Sequence, residues 1–457
     1  MEEDTLPLQI SHYFSTTFNA DIGWAHNSPA TDWSSFSGNG LAIPFYGFDD
    51  PIFSSLLSEN PPLVSASDEK SLRILHLLMA AAEALSGPQK QRELAGVILF
   101  RLKELLVPTE SAATIVERLA VHFTKALQSL LAGKGPSFHR HPAADELPAL
   151  QLMQDMSPYI SFGYLTANQA ILDAVSGFQQ VHIVDFDIKE GLQWPSLIQA
   201  LVSHKNGNFT SPSLRITAVA SGKWSMAKVE ETGQRLTAFA ASVSLPFSFD
   251  HCRLGRNQRF RPAAVRTVKG DAVILNCVLQ WPQTPNRTAT SVKSFIGGAA
   301  AVGACLVTVV EEENDGGEAT VTAAAGFTGK FMDEMKRHWA MMEALEEGFP
   351  KQRMAREMVE KEILAPRIAA AVWKAYCEEE GGVGEWMAAA GFRRVDLSGF
   401  NVSQARMLIK LFNYGYRVEE ENPNKLVLIW KSRRLVCATT WAVPPAAAGE
   451  AARETCL

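Results

Sequence analysis

The period of the hydrophobic positions changes once along the chain, near residue 180, and that change divides it. From Ser71 the stretch SLRILHLLMAAAEALSG sets Leu75, Leu78, Ala82 and Leu85 three and four residues apart. That is the one-faced stripe of a helix, and Gly87-Pro88 stops it. ELAGVILFRLKELLV predicts a second helix ended by Pro108, and ATIVERLAVHFTKALQSLLAG a third ended by Gly133. A Gly/Pro/His-rich linker, Gly133 to Pro148, leads to a fourth helical run around Phe162 to Val175. With no strand signal between them, these helices predict a helical cap.

At Val181 the pattern becomes short apolar runs separated by helix-like segments. VHIVDF, LRITAVA, DAVILNCVL and ACLVTVV predict strands, with helices at SLIQALVSH, from Ser225 to Ala241 and near Val292 between them. Such alternation implies βαβ units and a mostly parallel sheet with helices on both faces. LVLIW and LVCATTW flank Lys431-Ser432-Arg433-Arg434 and predict a closing hairpin. The expected fold class is α/β: a methyltransferase-like Rossmann core, mostly parallel with a C-terminal antiparallel hairpin, plus an α-helical cap. The most apolar stretch, Phe295 to Val310, holds three glycines and is too short to span a bilayer, so no membrane contact is expected.

Ahead of Ser71 no period is sustained. Residues 1–70 carry ten acidic side chains against one base, Lys70, and ten aromatic residues between them, a composition that predicts disorder. Repelling carboxylates that keep apolar rings accessible suit an activation segment contacting transcription machinery. Trp24, Trp33, Phe36 and Phe45 are the candidate contacts. A solvated tail whose rings tack onto the domain explains the same composition. Residues 442–457 are expected to be a second disordered tail. The net charge of −6 becomes +3 once residues 1–70 are set apart. No broad cationic field is expected there, so DNA contact should be mainly indirect. The six cysteines are scattered without metal-ligand spacing, which argues against zinc and structural disulfides. The acidic start, MEEDTLPLQI, does not resemble a secretory leader.

VHIVDFDIKEGLQWPSLIQAL, Val181 to Leu201, resembles the VHIID signature of the plant GRAS family of transcriptional regulators. The neighbouring landmarks fall in that family's order. The helices of residues 71–133 resemble its first leucine-rich region and cap, and residues 150–220 its VHIID region. TGQRLTAFAASVSLPFSF lies in residues 223–255, the second leucine-rich region. DAVILNCVLQWP and LVTVVEEEND lie in residues 265–358, the PFYRE region, and NKLVLIWKSRRLVCATTW in residues 361–441, the SAW region. QDMSPYISFGYLTANQAI and LFNYGYRVEEENPNKLVLIWKSRRL are similar to the nodulation-signalling type 2 branch. The resemblance implies a nuclear non-enzyme that pairs with a second GRAS protein in symbiosis- or strigolactone-related gene control. The competing classes are an enzyme or S-adenosylmethionine-like ligand binder on the same fold, and a factor that binds DNA directly.

Methyl transfer needs a glycine-rich turn after the first strand and a carboxylate after the second. Here the first strand is followed by Asp185-Phe-Asp-Ile-Lys-Glu-Gly191, and Ala218-Val-Ala-Ser-Gly222 follows without an acid. No cofactor is therefore expected, and any small-molecule occupant stays unidentified. Asp185, Asp187, Glu190, Gly191 and Arg215 are the candidates for a vestigial cleft, with Asp185 and its neighbours expected to cap the next helix and pair with a base such as Arg215 or Lys189. Partner-binding candidates are Leu75, Leu78 and Leu85 on the first helix, with Leu102, Leu105 and Leu106 of an LxxLL string on the second. Core packing explains the same leucines.

Overall fold

Six consecutive buried residues, Val181–Phe186, form the middle of a sheet, because only a strand covered on both faces can bury every position, polar His182 and Asp185 included. In the computed structural model the described residues are 66–87, 89–107, 113–135, 146–186, 188–203, 212–220, 224–279, 288–313, 326–377, 383–412 and 414–444. The chain divides into two units, Met1–Leu72 and Arg73–Leu457; of the first, only the start of one helix is described.

Five parallel strands, β1 (Gln180–Phe186), β2 (Ser213–Ala220), β3 (Phe247–Arg253), β4 (Ala272–Val278) and β5 (Ala304–Glu312), stand in the order β3-β2-β1-β4-β5. β9 (Arg433–Ala442) joins β5 antiparallel, and β8 (Lys425–Trp430) and β7 (Tyr416–Asn422) complete the path; the two-residue β6 (Arg393–Arg394) also pairs with β9. This is the methyltransferase-like Rossmann order, with the sequence direction reversing between β1 and β4. On one face the core packs β1, β2 and β4 against α5 (Pro158–Ala174), α6 (Trp194–Ser203) and α7 (Trp224–Ser242). On the other, Val184, Leu275 and Val307 pack against α8 (Ala289–Gly297) and α12 (Val383–Ala389).

Helices α1 (Ala66–Ser86), α2 (Gln89–Leu105) and α3 (Ile115–Leu131) precede the sheet. α3 starts on a capping box: Thr114 Oγ1 accepts from the Glu117 N–H and the Glu117 carboxylate accepts from the Thr114 N–H. It packs against α2, and also against α9 (Gly326–Gly348) and α11 (Ala365–Tyr376), which follow β5. The cap is therefore discontinuous in sequence and not made from the first helices alone. Buried ion pairs tie it to the sheet. Arg367 of α11 donates to Tyr159 of α5 and Glu312 of β5, and Arg337 of α9 donates to Glu312 at 3.0 Å. Arg118 of α3 reaches Glu346 at 2.6 Å and Glu360 at 3.1 Å, the latter on a π-turn (Glu360–Leu364) between α10 (Arg353–Val359) and α11.

Five elements differ from the sequence-based expectation. α1 begins at Ala66, five residues before Ser71. α4 (Glu146–Met156) occupies the end of the expected linker. The edge strands β3 and β7 carry the polar stretches FSFDHCR and YRVEEEN, whose half-exposed patterns lack a continuous apolar run. Edge position and neighbours, rather than intrinsic propensity, make them strands. α13 (Gly399–Ile409), opened by its Ser398 N-cap, packs on α5 and β7.

Candidate functional site

Ligands of open α/β sheets bind at the carboxyl ends of the strands, where the strand order reverses. In this chain that place lies between β1 and β4, and the chain's own side chains close it. The register sets Asp185 beside Asn276 and Asn276 beside Thr308 in one row across β1, β4 and β5. Asn276 Nδ2 donates to Asp185 Oδ1 at 2.9 Å, spanning the switch point. The Trp194 indole N–H donates to Asp185 Oδ2 at 3.0 Å.

Amides from the turn before α6 and from α5 complete the network. Gln193 and Asn276 exchange hydrogen bonds at 3.0 and 3.2 Å, and Gln193 Nε2 also donates to Asn168 Oδ1 at 3.0 Å. Asn168 of α5 donates to the Gln193 carbonyl at 2.9 Å and to Ser196 Oγ at 2.8 Å, while Thr308 Oγ1 donates to Asn276 Oδ1 at 2.8 Å. Asp185 is 3% exposed and Asn276 and Trp194 are fully buried. A carboxylate so enclosed must be saturated with donors to stay folded, and this one sits among indole and amide groups that supply them.

The turn after β1 does not fit S-adenosylmethionine. Gly191 has φ +69, and a Cβ there would meet Thr232 Cγ2 at 2.7 Å. That glycine serves the close approach of α7, whose Thr232 Oγ1 also donates to the Lys189 carbonyl at 3.0 Å. Ile188 is buried beside it, and β2 ends at Ala220 without a ribose-binding acid.

The sequence candidates separate in space. Asp185 does not pair with Arg215, a correction with a simple cause. Arg215 lies in register with His182 near the amino end of the strands, three residues from the level of Asp185. There it faces Asp271 at 3.9 Å and donates to the Arg266 carbonyl. Glu190 is engaged by Lys228 and Arg235, both at 2.7 Å. Burial raises its pKa, but hydrogen bonds and charge from the two cations outweigh that and hold the carboxyl below its usual value. Asp187 lies outside the described residues, as do Trp24, Trp33, Phe36 and Phe45.

The partner-binding leucines need a second correction. Leu75, Leu78, Leu85 and Leu102 are 4%, 0%, 1% and 0% exposed, so they are core residues, and Leu105 and Leu106 are half-buried. The exposed apolar surface of α2 lies on the opposite side. Leu94, Val97 and Phe100 are 47%, 66% and 65% exposed, with Val107 just beyond the helix at 60%. The buried positions of α2, Ala95, Leu99 and Leu102, recur three to four residues apart and take the other face. The one described ion pair of this outer surface is Arg101 with Glu104 at 2.7 Å. The run Val97-Ile98-Leu99-Phe100 carried the signal: four successive apolar residues in a helix cannot all face one core. The amide network had no comparable signal beyond Asp185, since Asn168, Gln193 and Asn276 are neutral and far apart in sequence.

Residues 74–442 match the GRAS domain family. The chain is 45% identical to Protein NODULATION SIGNALING PATHWAY 2 of Lotus japonicus over 93% of each chain. It is 42% identical to the protein of the same name from Medicago truncatula over 93% of this chain and 94% of that one. Scarecrow-like protein 26 of Arabidopsis thaliana is 44% identical over 82% of this chain and 79% of its own. Among solved structures, SCL7 of Oryza sativa superposes with a TM-score of 0.63 at 28% identity, covering 80% of this chain and 99% of that one.

Proposed function

The chain belongs to the GRAS domain family of plant transcriptional regulators, and on that premise we propose that it controls genes by protein contact through the outer face of α2. One observation carries this reading: Leu94, Val97 and Phe100 are large apolar side chains held in water by a helix whose other face is already buried. Such residues, clustered on a rigid element with a few charges around them, suit the centre of a protein interface. The partner is a second GRAS protein, the site of action the nucleus, and the biological setting the nodulation-signalling control suggested by the names of its relatives. The closed cleft supports a regulatory rather than a catalytic role.

Light scattering after size exclusion, with recombinant GRAS proteins as partners, tests the proposal. The wild-type chain should form a one-to-one complex that Val97→Asp with Phe100→Asp abolishes, the variant remaining a folded monomer. Complexes that survive both substitutions would place the interface elsewhere. Calorimetry with S-adenosylmethionine should give no saturable heat.

A further inference from the structure

We propose that the segment joining β3 to β4 is a contact surface for the phosphate backbone of duplex DNA. Residues 253–269, RLGRNQRFRPAAVRTVK, hold Arg253, Arg256, Arg259, Arg261, Arg266 and Lys269 and no acid. All six bases are exposed. Among the described residues no carboxylate pairs with any of them. The acids at the margins are engaged elsewhere: Asp271 faces Arg215 at 3.9 Å, Asp250 accepts from the His251 N–H at 2.9 Å, and Glu230 faces His251 at 4.0 Å. The other basic cluster differs in this respect. Lys431 is paired with Glu343 and Glu347, and Arg434 with Glu313 and Glu421.

The strap is also rigid. The Gly255 N–H donates to the Arg259 carbonyl at 2.8 Å and the Arg259 N–H to Asn257 Oδ1 at 3.2 Å, which closes a tight turn that presents Arg256 and Arg259. Phe260 anchors it in the core, edge-on to Phe295 at 5.1 Å, with its N–H donating to Ser294 Oγ at 2.9 Å. Gly298 makes that seat available, since a Cβ there would meet the Phe260 ring at 2.7 Å. Val265 is a second buried anchor.

Fixed guanidinium groups match phosphate oxygens bidentately without reading sequence. Along residues 253–269 the one large apolar side chain exposed is Val268, so an acidic polypeptide would find charge but little anchorage, whereas a polyphosphate needs only the charge. The contact is independent of docking at α2 and would hold a partner-recruited complex on DNA of any sequence.

Fluorescence anisotropy of the full chain with a duplex of about 30 bp, titrated from about 50 to 200 mM salt, tests it. Six neutralised phosphates give a slope of log affinity against log salt near −5, at about 0.9 per contact. Arg256→Gln with Arg259→Gln and Arg261→Gln should make the slope shallower by about 3, and Arg259→Gln alone by about 1, with unchanged melting temperature. Equal slopes in wild type and triple variant, or no wild-type binding at the lowest salt, would overturn the proposal. Tighter binding to polyglutamate than to the duplex would also overturn it and assign the strap to an acidic polypeptide.

Discussion

The carboxyl end of β1 and the outer face of α2 reverse the usual allocation of polar and apolar groups. The first is where this fold receives ligands, yet Asp185, Asn276, Gln193 and Trp194 fill it and satisfy one another. The second is a helix surface, where charges would cost nothing, yet Leu94, Val97 and Phe100 face water. Polar groups have become structural inside, and apolar groups have been left available outside. The contrast supports the proposal that recognition lies on the surface of α2 and not in the cleft.

The two regions should respond in opposite ways to substitution. Asp185→Ala leaves the Trp194 indole and the Asn276 amide without their buried acceptor, and unfolding by urea should show stability lower by about 4 kcal/mol. Asp185→Asn keeps one acceptor and should lose less than half of that. On α2, Val97→Asp with Phe100→Asp should leave the monomer within about 0.5 kcal/mol of wild type, since both side chains are already in water. The complex with a GRAS partner should weaken at least about 100-fold, or about 2.7 kcal/mol. A comparable loss of monomer stability at α2 would erase the contrast.

Acid sharpens it from a third position. His182 is fully buried in β1, its Nε2 2.8 Å from Thr217 Oγ1, and burial, with Arg215 nearby, pushes its pKa down to about 4 against the opposing charges of Asp271 and Asp250. Below the unfolded value of about 6.5 the unfolded chain takes up a proton that the folded chain refuses, so stability falls as pH drops through that window. His182 should contribute up to about 1.4 kcal/mol of that loss for each pH unit, read as the difference between the urea stabilities of wild type and His182→Gln at pH 6 and pH 5. In His182→Gln the other buried groups keep their shares: His122, which burial holds down at about 4, and His338 act in the same direction, and Glu312, which burial raises to about 7, acts in the opposite one. The smallest effect belongs to the exposed pair Arg101–Glu104, where Glu104→Ala should change stability by less than about 0.5 kcal/mol.

The sheet was legible because its central strands are buried on both faces and therefore read as near-continuous apolar runs, broken in VHIVDF and AVILNCV only by His182, Asp185 and Asn276. β3 and β7, exposed at the edges, carry no such run. Asp185 and Glu190 stood out in the sequence as acids after a strand, but their partners did not. Asn168 and Asn276 reach Asp185 and Gln193 only through the parallel register and the seating of α5. The stripe on α1 and the LxxLL string on α2 pointed to leucines that are buried or half-buried, and the run Val97–Phe100 marked the other side of α2. Averaging charge over the whole body hid Arg253–Lys269, because acids elsewhere in the body offset its six bases and leave a total of only +3.

The most direct test of surface recognition is the dissociation constant of the complex with a recombinant GRAS partner, measured by calorimetry for wild type, for Val97→Asp with Phe100→Asp, and for the milder cleft substitution Asp185→Asn below its unfolding temperature. The account predicts that the α2 variant loses at least about 100-fold in affinity while the cleft variant, though less stable, binds within about threefold of wild type. Equal binding by the α2 variant and wild type, or a loss confined to the cleft variant, would contradict it.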